Sequence, residues 1–239
     1  MPEQPSFKAS VRKLMVKNAP RIFFVSITFI VISTIMSEFE FRLPDTAAAY
    51  NIFLNRISAG EIPTPEIFYS SLRSSGIAFA VVLLLFQQII KVGYMSYSLK
   101  IARGQDAGYK DILNGFLFFM KIIYIKIIST FFILLWSVLF FFPAIPAYYR
   151  YRQAYFILLD APEKGAFQCI RESRRLMVGN KLNLFLLDLS FIGWFIIDFI
   201  VVLLLPLPFA LPIVSIWLTP YYGLTQAIYY DNLISNLVV

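Results

Sequence analysis

YYRYRQAYFILLDAPEKGAFQCIRESRRLMVGNKLNLFLLDLSFIGW, residues Tyr148 to Trp194, is the stretch on which the reading of this chain turns. It holds the densest run of cations, the clearest amphipathic segment and the entrance to the most apolar hairpin. Pro162 suits a helix start and Gly179 a C-terminal stop. Between them Ala166, Phe167, Ile170, Ser173 and Met177 share one helical face. Glu163, Lys164, Arg171, Glu172, Arg174 and Arg175 gather on the other, the pattern of a helix lying on a membrane surface. The runs on either side are apolar. The stretch therefore predicts a membrane helix ending at the cytoplasm, a surface helix, and a second membrane helix going back.

Composition extends this reading to the whole chain. Of 239 residues, 59% are hydrophobic and 18% aromatic, and the mean hydropathy is +0.72. Soluble domains are roughly 45–50% apolar, so much of this chain requires lipid as its solvent. A crossing needs about 20 apolar residues, which leaves room for roughly six. The net charge is +7, but the cations flank apolar segments instead of striping a polar surface. They act as topogenic charge, and nucleic acid is not expected as a partner. Cys169 is the single cysteine and histidine is absent, so neither a disulfide framework nor a zinc or haem site is expected, and no cofactor is assigned. The first apolar run is followed by Ser37-Glu38-Phe39-Glu40, which lacks the small residues of a signal cleavage site.

Charge asymmetry orients the chain. The leader, 1–21, carries Lys8, Arg12, Lys13, Lys17 and Arg21 against Glu3, and such a flank is held in the cytoplasm. It is either a helix on anionic headgroups or a solvated leader. A first crossing at 21–36 leads to a net acidic external segment, 37–74, with a short helix at 45–57. A second crossing, 75–97, returns inward to a surface helix with Tyr109, Ile112, Leu113 and Phe116 on one face. The third crossing spans 117–142. FPAIPA, 142–147, reads as an outer turn because proline breaks a helix interior. A fourth crossing at 147–160, a fifth at 182–205, an outer turn at PLPFALP and a sixth crossing at 213–230 complete an all-α polytopic membrane domain. It has six transmembrane helices, two cytoplasmic amphipathic surface helices and both termini in the cytoplasm. Sliding the chain so that Tyr97 falls on Tyr155 also places Tyr109 on Phe167, Ile112 on Ile170 and Trp136 on Trp194. The segments 93–150 and 151–208 thus read as a parallel internal repeat.

Ionisable residues in the predicted crossings mark the candidate site: Arg150 and Arg152 on the fourth, Asp188 and Asp198 on the fifth, and Lys126 on the third. They form either a polar cavity for an anionic headgroup or solute, or a structural ion pair with arginines reaching the interface. Arg171, Arg174, Arg175 and Lys181 are expected to meet lipid headgroups. Tyr148, Tyr149, Tyr151, Tyr155, Tyr221, Tyr222, Tyr229 and Tyr230 read as interfacial belts or as the lining of a ligand site. For catalysis the inventory is thin: there is no histidine base, no HExxH, no G-x-S-x-G and no phosphate loop. The chain is expected not to be an enzyme.

YRQAYFILLD, CIRESRRLMVGNK, LFLLDLSFIGW and TPYYGLTQAIYYDNL, occurring in that order, resemble the signature run of the bacterial integral membrane family DUF975, and GYMSYSLKIARGQDAGYKDILNGF resembles that family's earlier motif. The resemblance covers about Ile77 to Leu233 and implies a six-helix membrane protein of unassigned activity. Asp188 stands where an amide is expected. A remoter likeness is to the membrane domain of some glycerophosphodiester phosphodiesterases, though the phosphodiesterase domain itself is not seen here. The expected role is a non-enzymatic membrane protein acting through lipid or partner contacts, with other membrane proteins or self-association as partners. The alternative is a small transporter or channel for an anionic solute or lipid.

Overall fold

The computed structural model describes residues 4–41, 51–52, 54–60, 74–139, 141–204 and 214–238. Its long elements are α1 (Gln4–Lys17), α2 (Arg21–Phe41), α3 (Ser74–Ala102), α4 (Phe119–Leu139), α5 (Phe141–Tyr151), α6 (Ala154–Asp160), α7 (Ala166–Leu176), α8 (Lys181–Leu204) and α9 (Ser215–Val238). Short helical turns, Tyr109–Leu113 and Asn114–Leu117, join α3 to α4. Among the described residues there is no strand. Two compact units are present, residues 1–30 with 89–239 and residues 31–88. The second unit is helical at 31–41, 51–52, 54–58 and 74–88. The remainder of the predicted external helix at 45–57, and the predicted PLPFALP turn, lie outside the described residues.

Among the described residues three helices are long and apolar enough to cross a membrane, at Phe79–Ala102, Phe119–Ser137 and Lys181–Val201. There are four if Lys8–Lys17 and Arg21–Ser37, bent at their junction, form one span. These match the predicted second, third, fifth and first crossings. Their apolar residues are largely uncovered by protein: Phe131, Leu134, Leu135, Leu189, Ile192, Ile196 and Phe199 are all exposed. An apolar surface of this extent is expected to meet lipid and not water.

The other two predicted crossings take a different form. The fourth is broken: α5 ends at Tyr151 and α6 starts at Ala154, with Arg152 and Gln153 in the turn between them. The proline-rich stretch is helical in α5, which contains Pro146, so the predicted tight turn is not at FPAIPA. Pro143, third in the helix, forfeits no bond because the first four amides have no intrahelical acceptor, and Pro146, sixth, gives up one. The sixth predicted crossing is a helix, α9, but it carries Pro220, Thr225, Gln226, Asp231 and Asn232. It buries Leu218, Tyr221, Leu224, Ala227, Tyr229, Tyr230 and Leu233 against protein.

Glycine sets how closely α3 approaches the turns that follow it. Gly93 packs on the Ile112 carbonyl and Gly115 on the Ile89 carbonyl, each too near for a Cβ. The predicted amphipathic surface helix at 109–116 is instead a 3-10 turn running into one α-turn. In it Ile112 and Gly115 are buried against α3 while Tyr109 and Leu113 are exposed. Asp111 fastens this junction, accepting from Lys100 Nζ at 2.5 Å, from the Gly108 amide at 2.7 Å and from Asn114 Nδ2 at 3.1 Å.

Burial by itself would raise the Asp111 pKa, but the hydrogen bonds from Lys100, Gly108 and Asn114 outweigh it and hold the carboxyl below its ordinary range. A carboxyl with a depressed folded pKa adds stability that is complete above its unfolded value, about 3.9, and disappears as pH falls through the folded value. We therefore expect the thermal midpoint of the detergent-solubilised chain to drop below about pH 4 by more in wild type than in Asp111→Asn. Equal pH profiles for the two would contradict this.

Candidate functional site

α7 is the element that assembles the cations. Cys169, Ile170, Ser173 and Leu176 are buried, as is Met177, a stripe with the spacing of one helical face. Phe167 departs from the predicted face and is 63% exposed. At about 100° per residue it sits roughly 120° from the centre of that stripe. Two bonds seat the helix. The Ser173 hydroxyl donates to the Arg150 carbonyl at 2.9 Å, tying α7 to α5. Asn180 Nδ2 donates to the Leu176 carbonyl at 3.2 Å, closing the C-terminal end. Gly179, at φ +75°, takes the left-handed conformation that lets the chain turn directly into α8. The Tyr229 hydroxyl then holds the turn from α9 through the Asn180 carbonyl at 3.0 Å.

This arrangement builds a pocket of about 420 Å³ lined by Arg150, Arg171, Arg174, Arg175, Val178 and Lys181. All four predicted headgroup residues are in it, and Arg150 joins them from α5. No carboxylate lines it. Glu172, the one acid on α7, is drawn to Lys164 at 2.7 Å, and that bond holds the Lys164 ammonium above its usual pKa. Among the described residues none of the five pocket cations has a carboxylate within ion-pair distance. The Arg150 guanidinium lies over Trp136, 6.0 Å from the ring centroid. One wall of the pocket therefore continues onto the apolar surface of α4.

Arg152 goes elsewhere. It bonds Asp188 on α8 and the Tyr222 hydroxyl on α9, and its guanidinium lies against the rings of Tyr148, Tyr149 and Tyr222. Asp188 also accepts from the Tyr149 hydroxyl at 3.0 Å, the Tyr222 hydroxyl at 3.1 Å and Gln226 Nε2 at 3.0 Å. Four donors converge on one carboxylate, more than the single oxygen of an amide accommodates, which is a physical reason for aspartate at this position. The predicted ion pair is present, and it is saturated.

Asp198 does not join this cluster. It lies about 15 Å further along α8, where it accepts from the Ser215 hydroxyl at 2.6 Å. Lys126 and Lys91 are exposed; Lys91 lies within electrostatic reach of Arg152, Lys126 and Asp188. The tyrosines expected in belts mostly pack inside, with Tyr149, Tyr151, Tyr221, Tyr229 and Tyr230 all buried. A further network had no local signal in the sequence. Arg103 donates bidentately to Asp160 at 2.6 and 2.9 Å and to Asp231 at 2.7 and 3.0 Å, with the Tyr230 hydroxyl on Asp160 at 2.9 Å. It clips the ends of α3 and α6 to α9. Among the described residues no cluster of metal-ligating side chains occurs.

Every residue of the cation pocket, and of the Arg152–Asp188 cluster, falls within one matched segment. Residues 142–237 match the family described as protein of unknown function (DUF975). The DUF975 match bears out the resemblance of the YRQAYFILLD to TPYYGLTQAIYYDNL run; the earlier motif, GYMSYSLKIARGQDAGYKDILNGF, lies outside it. No curated protein and no solved structure matches the chain, and the remoter likeness to glycerophosphodiester phosphodiesterase membrane domains gains no support.

Proposed function

We propose that this DUF975-like chain is a non-enzymatic polytopic protein of the cell membrane whose pocket between α5, α7 and α8 holds an anionic, phosphate-bearing group presented by lipid. The observation that carries this reading is the convergence of five cations on one cavity with no acid to neutralise them. Like charges so placed repel one another, a cost offset when an anion is present. The flanking cations further support a chain with both termini in the cytoplasm and α7 on the cytoplasmic leaflet. α3 and α6 also end at positions, Ala102 and Asp160, that the offset pairing Tyr97 with Tyr155 brings together. That phasing supports a duplicated unit in a bundle of six crossings, with α5–α6 and α9 completing the set.

Each cation close to an anionic membrane surface contributes about 1 kcal/mol. Arg174→Ala/Arg175→Ala should therefore weaken retention of anionic lipid by the detergent-purified chain roughly thirtyfold, an effect that shrinks with added salt. Lipid phosphorus measured after purification reads this directly. Equal anionic lipid in wild type and variant would remove the reading. A second reading, a small transporter or channel for an anionic solute, draws on Lys91, which lies within electrostatic reach of Arg152, Asp188 and Lys126. Anion flux into vesicles that is lost in Lys91→Gln/Lys126→Gln would favour it.

A further inference from the structure

We infer that the pocket's ligand is a lipid whose headgroup carries two phosphates, an inference that rests on the anionic-group reading and names its class. Charge is the first argument. Five cations arrive from three directions: Arg150 from α5, Arg171, Arg174 and Arg175 from α7, and Lys181 from the first residue of α8. A single phosphodiester brings one negative charge and two free oxygens against five cations. Two phosphates can be shared between the walls, with arginine binding bidentately where its fork meets two oxygens.

Volume is the second argument. The pocket is open to its surroundings, and its volume of about 420 Å³ is in the range of sites that take a whole ligand, roughly 300–1,000 Å³. The helix ends give no preference of their own, because the C-terminal end of α7 and the N-terminal end of α8 meet at the same turn and their dipoles oppose. Side-chain charge therefore decides what binds.

Surroundings are the third argument, and they point to lipid over a soluble diphosphate. Val178 lines the pocket and is 71% exposed, Leu182 beside Lys181 is 64% exposed, and Trp136 beneath Arg150 is 38% exposed. Below Leu182, Leu186 and Leu189 continue an uncovered apolar surface along α8. A headgroup in the cation pocket would thus have its acyl chains delivered onto apolar surface, the arrangement by which basic pockets between membrane helices take multiply charged lipids.

The test is native mass spectrometry of the full-length chain, released in neutral detergent and titrated with cardiolipin, with phosphatidylglycerol at matched phosphate, and with phosphatidylcholine. Inorganic diphosphate serves as a competitor. The expected result is cardiolipin binding at least about tenfold tighter than phosphatidylglycerol. That preference should fall in Lys181→Gln and in Arg171→Gln, lining side chains outside the buried face of α7. Equal affinity for the two anionic lipids per phosphate would overturn the two-phosphate assignment and leave anionic-lipid binding standing. Displacement of cardiolipin by inorganic diphosphate at equal concentration would overturn the assignment to lipid. No preference for either anionic lipid over phosphatidylcholine would overturn both this inference and the reading it rests on.

Discussion

Asp188→Ala is expected to destabilise the folded chain by about 3–5 kcal/mol, the usual cost of stranding one member of a buried charged pair. Arg152 and Asp188 have side chains only 15% and 18% exposed, and removing the carboxylate leaves a guanidinium, two tyrosine hydroxyls and the Gln226 amide without their common acceptor. Replacing both charges should cost far less. Arg152→Met/Asp188→Leu removes the stranded charge along with its partner, and apolar replacement of buried pairs is often neutral. The double-mutant cycle, read from unfolding of the detergent-solubilised chain, should therefore show strong coupling. A mild Asp188→Ala variant, or additive single changes, would mean that the cluster is not a structural lock.

Gly93→Ala should have an effect of similar size for a purely steric reason. Its Cβ would enter the Ile112 carbonyl oxygen, a backbone atom that no rotamer change can move, and Gly115→Ala would strike the Ile89 carbonyl from the other side of the same junction. Overpacking usually costs 1–3 kcal/mol, so with backbone as the obstacle we expect at least about 3 kcal/mol, seen as lost monodisperse protein or a lowered thermal midpoint. Gly108→Ala is the matched control. Nothing lies within 4 Å of the Cβ position there, and the change should stay within about 0.5 kcal/mol. Similar losses for Gly108→Ala and Gly93→Ala would show that the close approach is not what makes glycine necessary.

These two sites were unequally visible in the sequence. The long apolar runs of α3, α4 and α8 announce themselves by composition, and α7 by a period near 3.6, because both signals are local. The Arg152–Asp188 pair was legible as opposite charges on neighbouring apolar segments. Grouping Arg150 with Arg152 was the error. Arg150 lies at the end of α5 while Arg152 sits in the break after it, so Arg150 lines the pocket with the α7 cations while Arg152 reaches α8 and α9. The break at Arg152 and Gln153, the helix through Pro146 and the close approach of Gly93 to Ile112 depend on tertiary neighbours, and no local pattern encodes them. The same holds for the Arg103–Asp160–Asp231 clip, whose members are far apart in the chain. In α9, Tyr222 and Gln226 are polar within an apolar helix because they serve Asp188.

The Arg150–Lys181 pocket and the Arg152–Asp188 lock are adjacent in the chain but differ in kind. One cluster has every charge answered by protein, and the other has five charges and no answer. That contrast separates structural from functional polarity here more clearly than the presence of charge in an apolar segment does.

A crystal structure of the full chain grown from a lipid mesophase doped with an anionic phospholipid tests the central claim most directly. The account predicts phosphate density within hydrogen-bond distance of Arg174, Arg175 and Lys181, with acyl density following Leu182 and Leu186. Phosphate found only at other basic surfaces, with the five-cation pocket closed by protein or filled by solvent, would contradict it.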